Sequence, residues 1–502
     1  MIGTRRNAIT SLATVGLAFI SRTARAVAAS YRGLPSTARA QADAIRSGEI
    51  SATELAQEII VRAEAATHLG IFISFSPEQL LESAGVADEK VSRKQNLGPL
   101  HGVPIPLKDN IDVIGYATSG GTPALRNHRP SKNAIISQRL LDAGALIAGK
   151  ANMHELAGGG TTNNPAFERS LNPYDPARIP GGSSGGSAVA VAARVVPAAI
   201  GTDTAGSVCN PAGYCGVVGF RPSMGRYPSD GIIPLALTRD TAGPFSLTVE
   251  DTVLLDQVLA NEPNHAPAIE LKGLRIGVPT IPFQSKMTSE VSSIFFRTLN
   301  CLQERGVELV EDEIPDLLDH INASGLITLG ARVREDIKSY LEYSGTTVTF
   351  DDIADQIADP FVRRWITPFL NPTSDILDQY ASVTSNIIPA MRNNFNSYLR
   401  KNGLDAIALP TTPIEAGIEV EGTDDLIVGE QTVQGGIWLN IQNTAPATLW
   451  GGPGISLPAG MTQDGLPVGF ELNGAINNDQ NLLSVALAVE EVLPPIAPPN
   501  MG

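Results

Sequence analysis

Val103-Pro104-Ile105-Pro106-Leu107 is followed by Ala134-Ile135-Ile136-Ser137-Gln138-Arg139-Leu140-Leu141-Asp142-Ala143, and then by Ala145-Leu146-Ile147-Ala148. The outer two are short apolar runs of strand length, and the middle one carries its apolar residues at helical spacing. The alternation resumes downstream. Ala188–Arg194 reads as an Ala-rich helix stopped near Pro197, and Ala198–Gly201 as another strand. Strands alternating with helices predict an α/β sheet covered on both faces.

Working outward, Ser36 to Ala66 has a helical pattern. Ser51-Ala52-Thr53-Glu54 forms a capping box, and Leu55, Ile59, Ile60 and Ala63 share one apolar face. The stretch from Met153 to Gly243 is rich in Gly, Ser, Thr, Asn and Pro. Its position between strongly apolar elements predicts ordered loops on a rigid scaffold, where sites are usually built. Residues 270–400 read as more helical, with Ser289–Arg305 and Thr373–Arg400 as segments. Strand-like runs return at Ala406–Leu409, Gly454–Leu457 and Val468–Leu472, before a last helix from about Asn481 to Val492.

The 502 residues are 43% hydrophobic and 18% charged, enough for a large core, with a formal charge of −16. So acidic a chain is a poor partner for nucleic acid or an anionic membrane surface. Three cysteines (Cys209, Cys215, Cys301) and six dispersed histidines give no zinc spacing; after His154-Glu155, Gly158 stands where a second histidine ligand belongs. No metal is expected. Residues 1–28 are a separate object. Arg5-Arg6, an apolar run from Ala8 to Ile20 and Ala24-Arg25-Ala26-Val27-Ala28 read as a twin-arginine signal peptide. That predicts a periplasmic or secreted protein. Removing the segment takes away Arg5, Arg6, Arg22 and Arg25 with no acid, leaving −20. No stretch is long and apolar enough to span a membrane.

Three patterns compete for the chemistry. Gly144 to Ala151 nearly spells a phosphate loop, but Ala151 replaces the required hydroxyl and the intervening residues are strand-like. Gly181-Gly182-Ser183-Ser184-Gly185 fits a nucleophile elbow, which needs a downstream histidine, and only His265 and His320 follow. The third pattern is in three parts. Gly102-Val103-Pro104-Ile105-Pro106-Leu107-Lys108-Asp109-Asn110 comes first. Pro180-Gly181-Gly182-Ser183-Ser184-Gly185-Gly186-Ser187-Ala188 is second, and Gly201-Thr202-Asp203-Thr204-Ala205-Gly206-Ser207 third. Together they resemble the amidase signature family, from roughly Ser51 to the C-terminal helix. Gly149–Glu155 and Gly219-Phe220-Arg221-Pro222 agree as well. Within the family, Gly219–Pro228, Pro453–Pro458 and Gly465–Leu472 resemble the mandelamide and indoleacetamide hydrolase branch.

The resemblance implies one large α/β/α domain, residues 29–502, with a mixed, mostly parallel twisted sheet. It implies Ser207 as nucleophile, Ser183 behind a cis peptide bond as relay, Lys108 as buried base, and backbone N–H groups around Thr204, Ala205, Gly206 and Ser207 as oxyanion hole. It implies no cofactor and a small, aryl-bearing amide as substrate. A homodimer stays open. The helical insertion, about 270–450, is expected to shape the acyl pocket, with Trp365, Trp438 and Trp450 as aromatic candidates.

The chemistry of the residues fits these roles. A serine needs a base to lose its proton, lysine serves only when neutral, and burial favours the neutral amine. Taken singly, Lys108 reads as a surface charge and each serine as a turn residue; the joint pattern changes that. Two positions depart from the family: Ala205 stands where glycine is usual and Cys209 where arginine is usual. Cys209 and Cys215 are either a pair or two small buried residues. Rival functions are ester or carbamate cleavage at the same site, an ammonia-producing subunit of a tRNA-dependent amidotransferase, and a non-catalytic binding protein. The export signal and the acidity argue against the second, and retention of Lys108, Ser183 and Ser207 against the third.

Overall fold

A computed structural model describes residues 34–262 and 266–501. The signal-like segment 1–28 and His265 lie outside them. Strands β1 (Phe72–Ser74), β2 (Pro104–Lys108), β3 (Leu146–Ala151), β4 (Ala198–Asp203), β5 (Val218–Arg221) and β6 (Thr241–Ser246) come from the first half of the chain. The second half adds β7 (Arg275–Gly277), β8 (Glu308–Val310) and β9 (Ala406–Pro410). A small separate sheet of β10 (Ile418–Glu419), β11 (Leu426–Val428) and β12 (Gln431–Val433) follows, then β13 (Gly454–Met461) and β14 (Pro467–Asn473). The main sheet has 11 strands in the order β1-β3-β2-β4-β6-β5-β13-β14-β9-β7-β8.

Both faces are covered, as the βαβ reading predicts. Successive residues of one strand feed opposite cores. Leu146 and Ala148 of β3 pack with Leu55, Ile59 and Val189, whereas Ile147 packs with Ile136, Leu140 and Leu255. The capping box at Ser51 is formed, with both reciprocal hydrogen bonds present.

The sheet is mixed, but the expectation of a mostly parallel one needs correcting. Only β2–β3, β2–β4, β7–β8 and β7–β9 are parallel. The centre, from β4 through β6, β5, β13 and β14 to β9, is antiparallel, and so is the β1 edge. The reason is partly local. A tight turn, with Thr462 N–H donating to Leu466 O at 2.8 Å, joins β13 to β14. So short a connection permits only an antiparallel pair.

Two prolines shape β2. Pro106 has no N–H to give to a ladder, and the register with β3 slips between Ile105 and Leu107. Toward β4 the only paired position is Leu107 with Ile200. All five residues of β2 are nonetheless buried, so its last residue, Lys108, ends inside the protein.

Residues 270–450 are not uniformly helical, since β7 to β12 fall within them. Their helices Leu317–Gly330, Val333–Ser344, Phe350–Gln356 and Pro360–Leu370 form a core beside the sheet together with Met153, Leu156, Ala205 and Leu235 from the site loops. The segment read as Thr373–Arg400 is two helices, Ser374–Ser382 and Ile388–Asn402, joined through a π-helical turn at Val383–Ile387. No helix among the described residues is long and apolar enough to cross a membrane.

Candidate active site

Lys108 has no exposed surface. Its Nζ lies 2.7 Å from Ser183 Oγ and 2.9 Å from Thr202 Oγ1, and 3.3 Å from the Thr202 carbonyl. Asn110 Nδ2 donates to the same Thr202 hydroxyl at 3.1 Å, fixing it in turn. Burial pushes the amine down to about 7, with the negative charges of Asp203 and Asp240 working against the shift. The neighbouring strand carries a second buried lysine that differs in one respect. Lys150 has Asp109 Oδ1 at 3.3 Å, whereas Lys108 has only hydroxyl and carbonyl partners among the described residues.

Ser183 follows a cis Gly182–Ser183 peptide bond and leads into the buried helix Gly185–Ala192. The helix is latched to β4 by two hydroxyls: Ser184 Oγ donates to Thr202 O at 3.0 Å and Ser187 Oγ to Ile200 O at 3.2 Å. At the turn, Thr162 Oγ1 accepts from Gly185 N–H at 3.0 Å and donates to Gly181 O at 2.8 Å. A Cβ at Gly185 would stand 2.4 Å from that oxygen, which is why glycine is needed there.

Ser207 sits between β4 and the helix Cys209–Cys215. The Asp203 carboxylate ties the loop by accepting from Gly206 N–H at 2.9 Å and Val208 N–H at 2.7 Å. Arg221 Nη1 holds that carboxylate at 2.9 Å. Gly206, expected among the oxyanion donors, therefore has its N–H committed to Asp203. The N–H groups of Thr204, Ala205 and Ser207 have no acceptor among the described residues. Gly206 also has φ +103°, and a Cβ on it would lie 1.7 Å from Thr444 Oγ1. Ala205 has no positive φ, so its methyl group introduces no strain.

Ser207 Oγ makes no hydrogen bond to Ser183 among the described residues; Ser207 lines a cavity together with Gly182, Thr204 and Ala205. Its walls are apolar: Leu329, Phe361, Trp365, Ile437, Trp438 and Ile441. Two of the three tryptophans are thus placed at the cavity. Trp450 is not; it is fully buried and stacked on Phe395 with ring centres 4.2 Å apart. His320, the partner required by a nucleophile elbow, lies on the helix Leu317–Gly330 and does not line the cavity.

Several groups support the site from outside its three motifs. His154 Nε2 lies 2.8 Å from Asp359 Oδ2, and Glu155 accepts from Asp359 N–H at 2.7 Å. Asp359 caps the helix Pro360–Leu370, which bears Phe361 and Trp365. The Met153-His154-Glu155 run therefore anchors the aromatic wall, and Trp365 Nε1 completes the tie by donating to Gly158 O at 2.8 Å. Cys209 and Cys215 are both free, buried thiols, not a disulfide. Burial pushes both thiols up, so each is a neutral core residue. With cysteine at 209, the guanidinium that meets the Asp203 carboxylate of the Ser207 loop is that of Arg221. No cluster of metal-ligating side chains occurs among the described residues.

Comparison with known proteins identifies the family. The family model "Amidase" matches residues 54–483. An indoleacetamide hydrolase of Agrobacterium vitis is 38% identical over 462 residues, covering 92% of this chain and 98% of the relative. A mandelamide hydrolase of Pseudomonas putida is 36% identical over 465 residues, covering 89% and 90%. The crystal structure of an amidase superposes with a TM-score of 0.80 at 31% identity, covering 90% of this chain and 99% of the other. On these matches the chain belongs to the amidase family, hydrolases of the carboxamide C–N bond.

Proposed function

We propose that the protein hydrolyses a small, aryl-bearing carboxamide through an acyl-serine intermediate. Ser207 is the nucleophile, Ser183 the relay and Lys108 the base. One observation carries the proposal: a fully buried lysine without a carboxylate partner among the described residues, its amine 2.7 Å from a serine hydroxyl. At an amine pKa of about 7, roughly half the molecules hold a neutral Lys108 at neutral pH.

With substrate seated, neutral Lys108 takes the Ser183 proton as Ser183 takes that of Ser207. Ser207 Oγ then bonds to the carbonyl carbon. The oxygen gains the charge and is met by the N–H groups of Thr204, Ala205 and Ser207, which lack other acceptors. As the C–N bond breaks, the proton returns from Lys108 through Ser183 to the departing nitrogen, leaving an ester on Ser207. A water molecule adds to that ester along the same proton path. The C–O bond to Ser207 breaks, the serine recovers its proton, and the acid leaves. The Ser183–Ser207 hydrogen bond forms only with substrate in place, as catalytic hydrogen bonds often do. Phe361, Trp365 and Trp438 support an aryl acyl group, as do the relatives named for indoleacetamide and mandelamide.

The test is a panel of aryl and alkyl amides, esters and carbamates assayed on the parent and on Ser207→Ala, Lys108→Met and His320→Ala. Arylacetamides are expected to turn over fastest. The first two variants are expected to be inactive and the third active. Turnover surviving in Ser207→Ala would refute the mechanism.

A further inference from the structure

Asp240 comes just before β6, and no motif singles it out. One of its carboxylate oxygens accepts the Thr204 hydroxyl at 2.6 Å. The other accepts the backbone N–H groups of Leu235 at 2.8 Å and Ala236 at 3.0 Å. These partners belong to two different parts of the site. Thr204 opens the loop that carries Ser207, and Leu235 is part of the cavity wall; both line the cavity. A single carboxylate thus ties the loop to the wall. Asp203 braces the same loop from within, through Gly206 and Val208.

We infer that Asp240 is a positioning residue of this site: by holding the Thr204 hydroxyl and the Leu235–Ala236 backbone on one carboxylate, it sets the oxyanion donors in register with the acyl pocket. The inference rests on the function proposed above, because it takes Ser207 as the attacking atom. Hydrogen bonds to an ionised acceptor are short and strong, and three on one carboxylate leave the loop little freedom. Donors aimed at a developing oxyanion act only if they are in place before the charge forms. Asp240 itself touches no reacting atom.

The hydroxyl can be tested without disturbing Asp240, since Thr204→Val keeps the side chain's shape. Parent, Thr204→Val, Thr204→Ser and Asp240→Asn are compared for kcat and KM on an arylacetamide. Each is also assayed for inhibition by an arylboronic acid, which forms a tetrahedral adduct with a nucleophilic serine, and by the carboxylic acid product. Thr204→Val is expected to lower kcat by about 10- to 100-fold, the scale of a small misplacement, with KM changed less than about threefold. It should weaken the boronic acid by the same factor and leave the product acid unchanged, while Thr204→Ser stays within about threefold of the parent. A purely structural role would weaken both inhibitors alike. That outcome, or a Thr204→Val enzyme with parental kcat and boronic acid affinity, overturns the inference. Ser207→Ala separates the two claims. If it is active, the nucleophile was wrong; if it is dead while Thr204→Val is unimpaired, only the role of Asp240 fails.

Discussion

Replacing Lys108 by methionine should change stability in opposite directions at acid and alkaline pH. In the folded chain the amine is held near 7 by burial, against an ordinary value of 10.5. Below pH 7 the ammonium is present in both the folded and unfolded states. Its burial then costs about 5 kcal/mol, taking ~1.4 kcal/mol for each pH unit between the two values. Between pH 7 and 10.5 the unfolded chain binds the extra proton, so stability rises with pH and the cost shrinks, to about 2 kcal/mol at pH 9. Methionine removes the cost and also the three hydrogen bonds of Nζ, together worth about 3 kcal/mol. The variant should therefore be more stable than the parent by roughly 2 kcal/mol at pH 6 and less stable by roughly 1 kcal/mol at pH 9. Urea unfolding followed by tryptophan fluorescence at the two pH values reads the difference. A variant less stable than the parent at pH 6 would refute the idea that Lys108 is desolvated and unpaired.

Two further outcomes follow from the same structure. The acid limb of kcat/KM should bend near pH 7 and fall about tenfold per unit below it, because only the neutral amine accepts a proton; a limb that stays flat to pH 5 would exclude Lys108 as the base. Asp359→Ala removes both the partner of His154 and the cap of the helix carrying Phe361 and Trp365. It should cost about 1–2 kcal/mol of stability and raise KM for arylacetamides more than it lowers kcat; an unchanged KM in steady-state assays would show that the wall does not depend on this anchor.

What the sequence reveals is what neighbouring residues encode. The strand ending at Lys108, the glycine turn before Ser183 and the loop before Ser207 each lie within nine consecutive residues, so motif and periodicity reach them. The antiparallel centre of the sheet depends instead on β5 finding β13 across more than two hundred residues of chain, and no local pattern records that choice. Partnerships of the supporting groups are equally distant. Thr204 meets Asp240 at a separation of 36 residues, and Ala358 N–H meets Glu155 at 203. The tryptophans show the same limit: Trp438 and Trp450 lie close together in sequence, yet one lines the cavity and the other fills the core. The departures at 205 and 209 could be seen but not interpreted. It takes coordinates to show that the unusual backbone angle falls on Gly206 and that Arg221 already serves the loop.

On the proposed mechanism, the surroundings of the two buried lysines bear on how the base is kept unquenched. Burial lowers the Lys150 amine, and the Asp109 carboxylate 3.3 Å away works against that shift. Lys108 also has two aspartates near enough to raise its pKa, Asp203 and Asp240. Their oxygens, however, are occupied elsewhere: Asp203 by Gly206, Val208 and Arg221, and Asp240 by Thr204, Leu235 and Ala236. Acting at a distance, they offset part of the desolvation and leave the amine near neutrality. Direct contact with either would oppose the lowering more strongly; removal of both would let burial carry the pKa lower still, to an amine too weak to draw a proton from serine. On the proposed mechanism, the carboxylates that immobilise the Ser207 loop therefore also tune its base, and they can do both because their hydrogen-bonding capacity goes to the loop rather than to the lysine.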